Sequence, residues 1–239
     1  MKTEKLNRRW ELLASLVWEV LASLLVATGA CDSGVGVDDS DRRDVFGSGT
    51  VVTELRAASS FTGVRASGEH TMVVVEQAAF EGVEITTDDN LLAFVETDVI
   101  HGILLVSLDP QVRLRPTEPL VVRVYAGELS TLSADGVVSL DADIGSVPEL
   151  NVEVSGVSRA SVRGSVEWLD LQISGVSTYD GFGLESNEAR VTASGVSAAD
   201  LWVHDRLEVD GSGVSTVRYR GSPSVVARLT GASTVAPAP

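Results

Sequence analysis

The chain has 239 residues, enough for one large β domain with its own core. It is rich in Val, Ser and Gly, only 5% aromatic, and has two Met, which is the usage of many short strands joined by tight turns. The formal charge is −16 and no Lys occurs after Lys5, so the surface repels phosphate backbones and nucleic acid is excluded as a partner.

Residues 1–30 read as a signal peptide. Lys2, Lys5, Arg8 and Arg9 make a basic start, Leu12 to Val26 is apolar, and Ala27-Thr28-Gly29-Ala30 are small residues directly before the single cysteine, Cys31. A transmembrane helix is the competing reading. Glu19 near its middle would cost about 2.5–3.5 kcal/mol, and the uninterrupted apolar run from Val20 is too short to span a bilayer. Cys31 has no partner for an intramolecular disulfide. The run Leu24 to Cys31 resembles a bacterial lipoprotein processing site, although Thr28 stands where an aliphatic residue is usual. That resemblance implies a lipidated Cys31 holding the protein at a membrane surface; cleavage alone would give a secreted form.

Residues 31–48 read as a flexible acidic linker, Gly/Ser/Asp-rich as far as Asp41. Its carboxylates lack the glycine and terminal glutamate spacing of a calcium loop. Gly47-Ser48-Gly49 has no following Lys and opens no helix, so it reads as a flexible lead-in to the first strand and not as a phosphate loop. The first 30 residues carry +1 (Lys2, Lys5, Arg8, Arg9 against Glu4, Glu11, Glu19), which leaves −17 on the rest.

Residues 49–130 form an N-terminal β region of irregular spacing. Expected strands are Thr50 to Glu54, Thr71 to Glu76, Val83 to Thr86, Phe94 to Val99, Ile103 to Ser107 and Leu120 to Tyr125, separated by turns at Ser67-Gly68, Asp88-Asp89-Asn90 and Asp109-Pro110. The pattern leaves open whether these strands continue the repeats or form a separate sandwich.

Residues 131–236 carry an internal repeat. Ser155-Gly156-Val157-Ser158 recurs as Ser174-Gly175-Val176-Ser177, Ser194-Gly195-Val196-Ser197 and Ser212-Gly213-Val214-Ser215, with weaker copies at Thr230-Gly231-Ala232-Ser233 and Asp135-Gly136-Val137-Val138. The period of about 18–20 residues is that of stacked architectures. Before each glycine, apolar residues alternate with polar ones: Leu150/Val152/Val154, Leu169/Leu171/Ile173, Ala189/Val191/Ala193, Leu207/Val209/Gly211 and Val225/Ala227/Leu229, with Val226 alone breaking the polar set. The predicted fold is all-β, a right-handed parallel β-helix or β-solenoid with one repeat per rung. Val, Leu and Ile fill its interior columns, serines bond backbone or one another down the stack, and Gly156, Gly175, Gly195, Gly213 and Gly231 turn the corners. Pro237 and Pro239 blunt the open end.

The residues Gly47-Ser48-Gly49, Val51-Val52, Phe61-Thr62-Gly63-Val64, Ser67-Gly68, Asp89-Asn90-Leu91-Leu92 and Gly102-Ile103-Leu104, followed by the Ser-Gly-Val-Ser repeats, resemble the bacterial family called putative auto-transporter adhesin, head GIN domain. The resemblance spans about Gly47 to Val235 and implies an exported β-helical domain attached to a lipoprotein signal. Asp135-Gly136 departs from its pattern.

Catalytic and cofactor chemistry finds no motif. His70, His101 and His204 have no zinc spacing, and the post-glycine serines are numerous and equivalent where a nucleophile is single. The outward Glu153, Asp170, Arg190, Glu208 and Asp210 could stack as in a β-helical polysaccharide-active enzyme, but any solvated β face shows such charges. Trp168 and Trp202 lie outside the apolar triplets and are the candidate binding residues; exposed, they would stack on sugar rings or anchor a partner. The expected function is a non-enzymatic, lipid-anchored envelope module presenting a long acidic face to a glycan or protein partner, without cofactor or metal. A glycan-active enzyme and a self-assembling structural component are the alternatives.

Overall fold

The computed structural model describes residues 42–239. The signal peptide read over 1–30, the lipidation site Cys31 and the linker as far as 41 lie outside the described residues. Within them the protein is all-β, with one 3-10 turn at Leu92–Phe94. The strands are β1 (Arg43–Phe46), β2 (Val51–Arg56), β3 (Gly63–Gln77), β4 (Gly82–Asp88), β5 (Val95–Ile100), β6 (Ile103–Leu108), β7 (Val112–Arg115), β8 (Leu120–Ala126), β9 (Thr131–Val154), β10 (Arg159–Ile173), β11 (Thr178–Ala193), β12 (Ala198–Gly211), β13 (Thr216–Arg220), β14 (Ser224–Leu229) and β15 (Thr234–Pro237). A 13-stranded mixed sheet, with no closed barrel, holds all but β1 and β7, which pair with each other.

The repeats make the parallel part of the sheet. β9, β10, β11 and β12 pair side by side in register, and β12 then pairs with β13 and β14. β9 is long enough to turn back on its own start: Asn151 N–H donates to Ser130 O (2.8 Å) and Ser155 N–H to Ala134 O (2.9 Å). Each later repeat hydrogen-bonds in parallel to the one before it in the same way. Leu150/Val152/Val154, Leu169/Leu171/Ile173, Ala189/Val191/Ala193 and Leu207/Val209 all point into one buried core. Packing across circuits is complementary in size. Tyr179 sits between Ala160 and Ala199, and all three are buried.

The glycines stack in a column with φ near +75° from Gly156 to Gly213 and +70° at Gly231. Positive φ is one reason for glycine here, and close approach is another: a Cβ on Gly175 would lie 2.3 Å from Gly156 O. That carbonyl accepts from Val176 N–H (2.8 Å), and the same bond recurs from Val157, Val196, Val214 and Ala232.

Beyond the glycine the alternation of the triplet continues. The repeat valines point outward, with Val176 48%, Val196 56% and Val214 56% exposed, while Ser158, Ser177, Ser197 and Ser215 are buried. Ser158 Oγ donates to Gly136 O (3.3 Å) and Ser177 Oγ to Gly156 O (3.4 Å), so the hydroxyls reach the preceding circuit's glycine carbonyls. One correction concerns Val225/Ala227/Leu229, expected inside: Val225 is 38% and Leu229 41% exposed, and among the described residues no strand pairs with the other edge of β14.

The N-terminal β region shares the sheet and the core of the repeats. β3 lies parallel between β9 on one side and β6 and β8 on the other, so the chain enters the ladder at β3, leaves to build β4 to β8, and returns at β9. β4 runs antiparallel to β8 and β2, and β5 antiparallel to β6. The end of the stretch read as linker is ordered as β1, which pairs in parallel with β7 and carries Asp44 3.2 Å from Arg115. Gly47-Ser48-Gly49 is likewise pinned. Ser48 N–H donates to Asn90 Oδ1 (2.9 Å), Ser48 Oγ to Asp89 Oδ1 (2.5 Å) and Gly49 N–H to the buried Asp88 carboxylate (2.8 Å). The Thr117 backbone N–H and hydroxyl also donate to Asp88, and these bonds hold its carboxyl below the ordinary value.

Candidate functional site

The ladder is regular except where chain is inserted. Between β10 and β11 the register shifts at Ser161/Arg163, and between β11 and β12 at Gly181/Glu185 and Ser186/Glu188. Such bulges re-aim side chains. Here they push Phe182 out beneath Arg220, whose guanidinium lies 4.0 Å from the ring centre, and they set Ser165, Glu185 and Trp202 in one lateral row. Beside this row is an open groove of about 260 Å³. Val147, Pro148 and Val166 give it apolar walls, and Ser146, Ser165, Glu167, Glu185, Asn187 and His204 supply its polar groups.

Those polar groups are partly ordered by one another. Asn187 Nδ2 donates to Glu167 Oε2 (2.5 Å), His204 Nε2 lies 3.9 Å from Glu185, and the His204 ring leans on Trp202 with centroids 5.8 Å apart. Ser186, buried beneath, donates its hydroxyl to Trp202 O (2.8 Å) and fixes the strand that carries the tryptophan. The groove therefore joins an imidazole, an amide, two carboxylates and two hydroxyls, with Trp202 against the imidazole. Serine, histidine and glutamate share it, and no hydrogen bond among the described residues joins a serine to His204. No group of three or more metal-ligating side chains occurs among the described residues.

Trp202 is thus partly exposed beside His204 of the groove. Trp168 is also partly exposed, but it belongs to a different row, between Glu149 and Glu188, so the ladder does not align the two tryptophans. The corner glycines Gly156, Gly175, Gly195, Gly213 and Gly231 form their column away from this row. The outward charges do not make one long acidic face. Along one row Asn151, Asp170, Arg190, Glu208 and Val226 are neighbours, so Arg190 separates two carboxylates, and along the next Glu153, Gln172, Thr192, Asp210 and Arg228, where neutral residues separate them. His101 sits in the β5–β6 turn at φ +51°. Burial lowers the pKa of His70 despite the nearby Glu69. His204 is the histidine that joins a site, and neither it nor Glu167, Glu185 and Asn187 was marked by motif spacing.

A second, more apolar hollow of about 440 Å³ lies on the N-terminal sheet. Leu55, Phe80 and Tyr125 line it, with the two rings 5.0 Å apart.

The family profile described as putative auto-transporter adhesin, head GIN domain, matches residues 60–223. The chain belongs to this family. The head GIN domain here is similar in fold to a solved putative adhesin from Bacteroides fragilis, at 17% identity, TM-score 0.67, covering 81% of this chain and 100% of that one. It is also similar to a structure named putative lipid binding protein from Parabacteroides distasonis, at 15% identity, TM-score 0.52, covering 82% of this chain and 100% of that one. No curated protein matches the chain.

Proposed function

We propose that this head GIN domain is a non-enzymatic binding module of the cell envelope, tethered through a lipid on Cys31, whose repeats form a right-handed β-solenoid and whose groove beside Trp202 takes a glycan. The in-register parallel circuits and their glycine column support the solenoid reading, and right-handed crossover is the rule for parallel strands. The adhesin names of the family and of the Bacteroides fragilis relative support a binding role.

One observation carries the glycan: a shallow groove with carboxylate, amide and hydroxyl groups, whose His204 leans on the neighbouring Trp202 ring. The apolar C–H face of a pyranose stacks on an aromatic ring, and its adjacent hydroxyls donate to carboxylates and accept from an amide. No Arg or Lys lines the groove beside Glu167 and Glu185, so neutral or amine-bearing sugars fit and uronic acids are repelled.

A glycan array followed by calorimetry tests this. Wild type binds a neutral or amino saccharide, and Trp202→Ala weakens it at least about tenfold, one aromatic contact's worth. Trp168→Ala leaves binding within about twofold of wild type. Saccharide binding indifferent to Trp202, or release of shortened saccharide by the wild type, overturns the reading.

A further inference from the structure

The last circuit differs from the body in charge and in covering. No Asp or Glu follows Asp210, whereas Arg218, Arg220 and Arg228 do, so residues 211–239 carry +3 on a chain of −16. β14 pairs only with β12, which leaves its other edge open. Thr230 N–H donates to Gly211 O in the circuit below, so by strand alternation Val226 and Arg228 face that circuit. Val225, Ala227 and Leu229 then present their N–H and C=O groups to the open edge. Their side chains stand over Leu207, Val209 and Gly211, at positions buried in every earlier circuit. β15 is stopped by Pro237 and Pro239, but β14 contains no proline.

We propose that β14 is an acceptor edge for an extended acidic segment of a partner protein, which adds as one more strand. Its aliphatic side chains would cover Val225, Ala227 and Leu229, and its carboxylates would lie near Arg228, whose side chain is 76% exposed. Main-chain hydrogen bonds supply the affinity in this mode, and the alternate side chains supply the selectivity. Charge decides the occupant. Two copies of this chain meeting end to end would bring two +3 ends together, whereas an acidic strand is attracted to one.

The probe is a fluorescent acetyl-Asp-Val-Asp-Val-Asp-Val-Asp amide, titrated with the intact chain and followed by anisotropy. A peptide with Lys in place of Asp is the control. Ala227→Pro removes an N–H that the protein's own ladder does not use, and Arg228→Glu reverses the charge; thermal melting of both checks that they fold. Expected is binding of the acidic peptide that is at least about tenfold weaker for each variant and for the Lys peptide. Absence of binding, equal binding of the two peptides, or binding unchanged in a folded Ala227→Pro overturns the proposal. So does a dimer of the free chain that Ala227→Pro dissolves, since the occupant would then be a second copy. If Ala227→Pro fails to fold, Arg228→Glu and the peptide pair still decide. Saccharide binding in the groove enters none of these readouts.

Discussion

Replacing Gly175 by Val tests what the glycine column does. At φ +75° a β-branched residue is strained by about 1–3 kcal/mol. The new Cβ would also stand 2.3 Å from Gly156 O, a backbone atom that cannot swing aside. Relief requires moving one circuit off the next, which stretches the Val176 N–H to Gly156 O bond (2.8 Å) and is worth about another 1 kcal/mol. A loss of about 2–4 kcal/mol follows, or roughly 4–16 °C in Tm for a domain of this size. Ser177→Ala makes the contrast. The hydroxyl it removes donates over a long 3.4 Å to the same Gly156 O, which keeps its bond from Val176. That loss is about 1 kcal/mol or less, roughly 4 °C at most. The assay is thermal unfolding of both variants followed by circular dichroism. Equal losses, or a larger one for Ser177→Ala, would refute the assignment of the corner to glycine.

Tyr179→Phe removes a fully buried hydroxyl that has no hydrogen-bond partner among the described residues, so stability should stay level or rise by about 1 kcal/mol in denaturant titration. A loss above that would reveal a partner for the hydroxyl. The Asp88 carboxyl is held below its ordinary value of 3.8, so its ionised form stabilises the fold above that value, and the contribution disappears as pH falls through the lowered one. Asp88→Asn should therefore lower Tm at pH 7 and flatten its fall below about pH 4; an acid limb as steep as wild type's would show that Asp88 does not drive it.

The repeat was readable because its cause is local. Positive φ at the corner admits little but glycine, and the triplets before it alternate in extended backbone. Past the glycine the same parity holds: Ile173, Ser177 and Tyr179 turn in while Val176 turns out, so the alternation reads straight through Gly175. Leu229 was misread because its pattern matches the interior copies, whereas its burial depends on a neighbour on the far edge of β14, which no described strand supplies. β1 and the Gly47-Ser48-Gly49 clip were missed because their partners, Val112 to Arg115 and Asp88 to Asn90, are far away in sequence. The groove is a third case. It lies beside the bulge where Phe182 to Leu184 have no partner in β12, and the uneven spacing of the repeats was the sole trace of that insertion.

The rows of side chains across the ladder impose one more constraint, set by charge. Neighbouring strands repeat every 4.8 Å or so, and two like charges at about that distance repel by about 1 kcal/mol in water, more near the protein surface. Asp180 and Asp200 are such neighbours. Arg218 closes their row from the next circuit, with Nε 2.7 Å from Asp200 Oδ1 and Nη2 2.5 Å from Oδ2, and these bonds keep the guanidinium firmly charged. The arginine therefore neutralises a repulsion as well as forming a pair, and the two roles separate with salt. Arg218→Ala should lower Tm at low ionic strength and recover part of the loss in about 0.5 M NaCl, where the remaining Asp180–Asp200 repulsion is screened; wild type should change little over the same range. In Asp180→Asn, with the row already relieved, the same Arg218→Ala change should cost less and lose its salt response. A cost that is insensitive to salt and unchanged by Asp180→Asn would mean that Arg218 acts by packing alone.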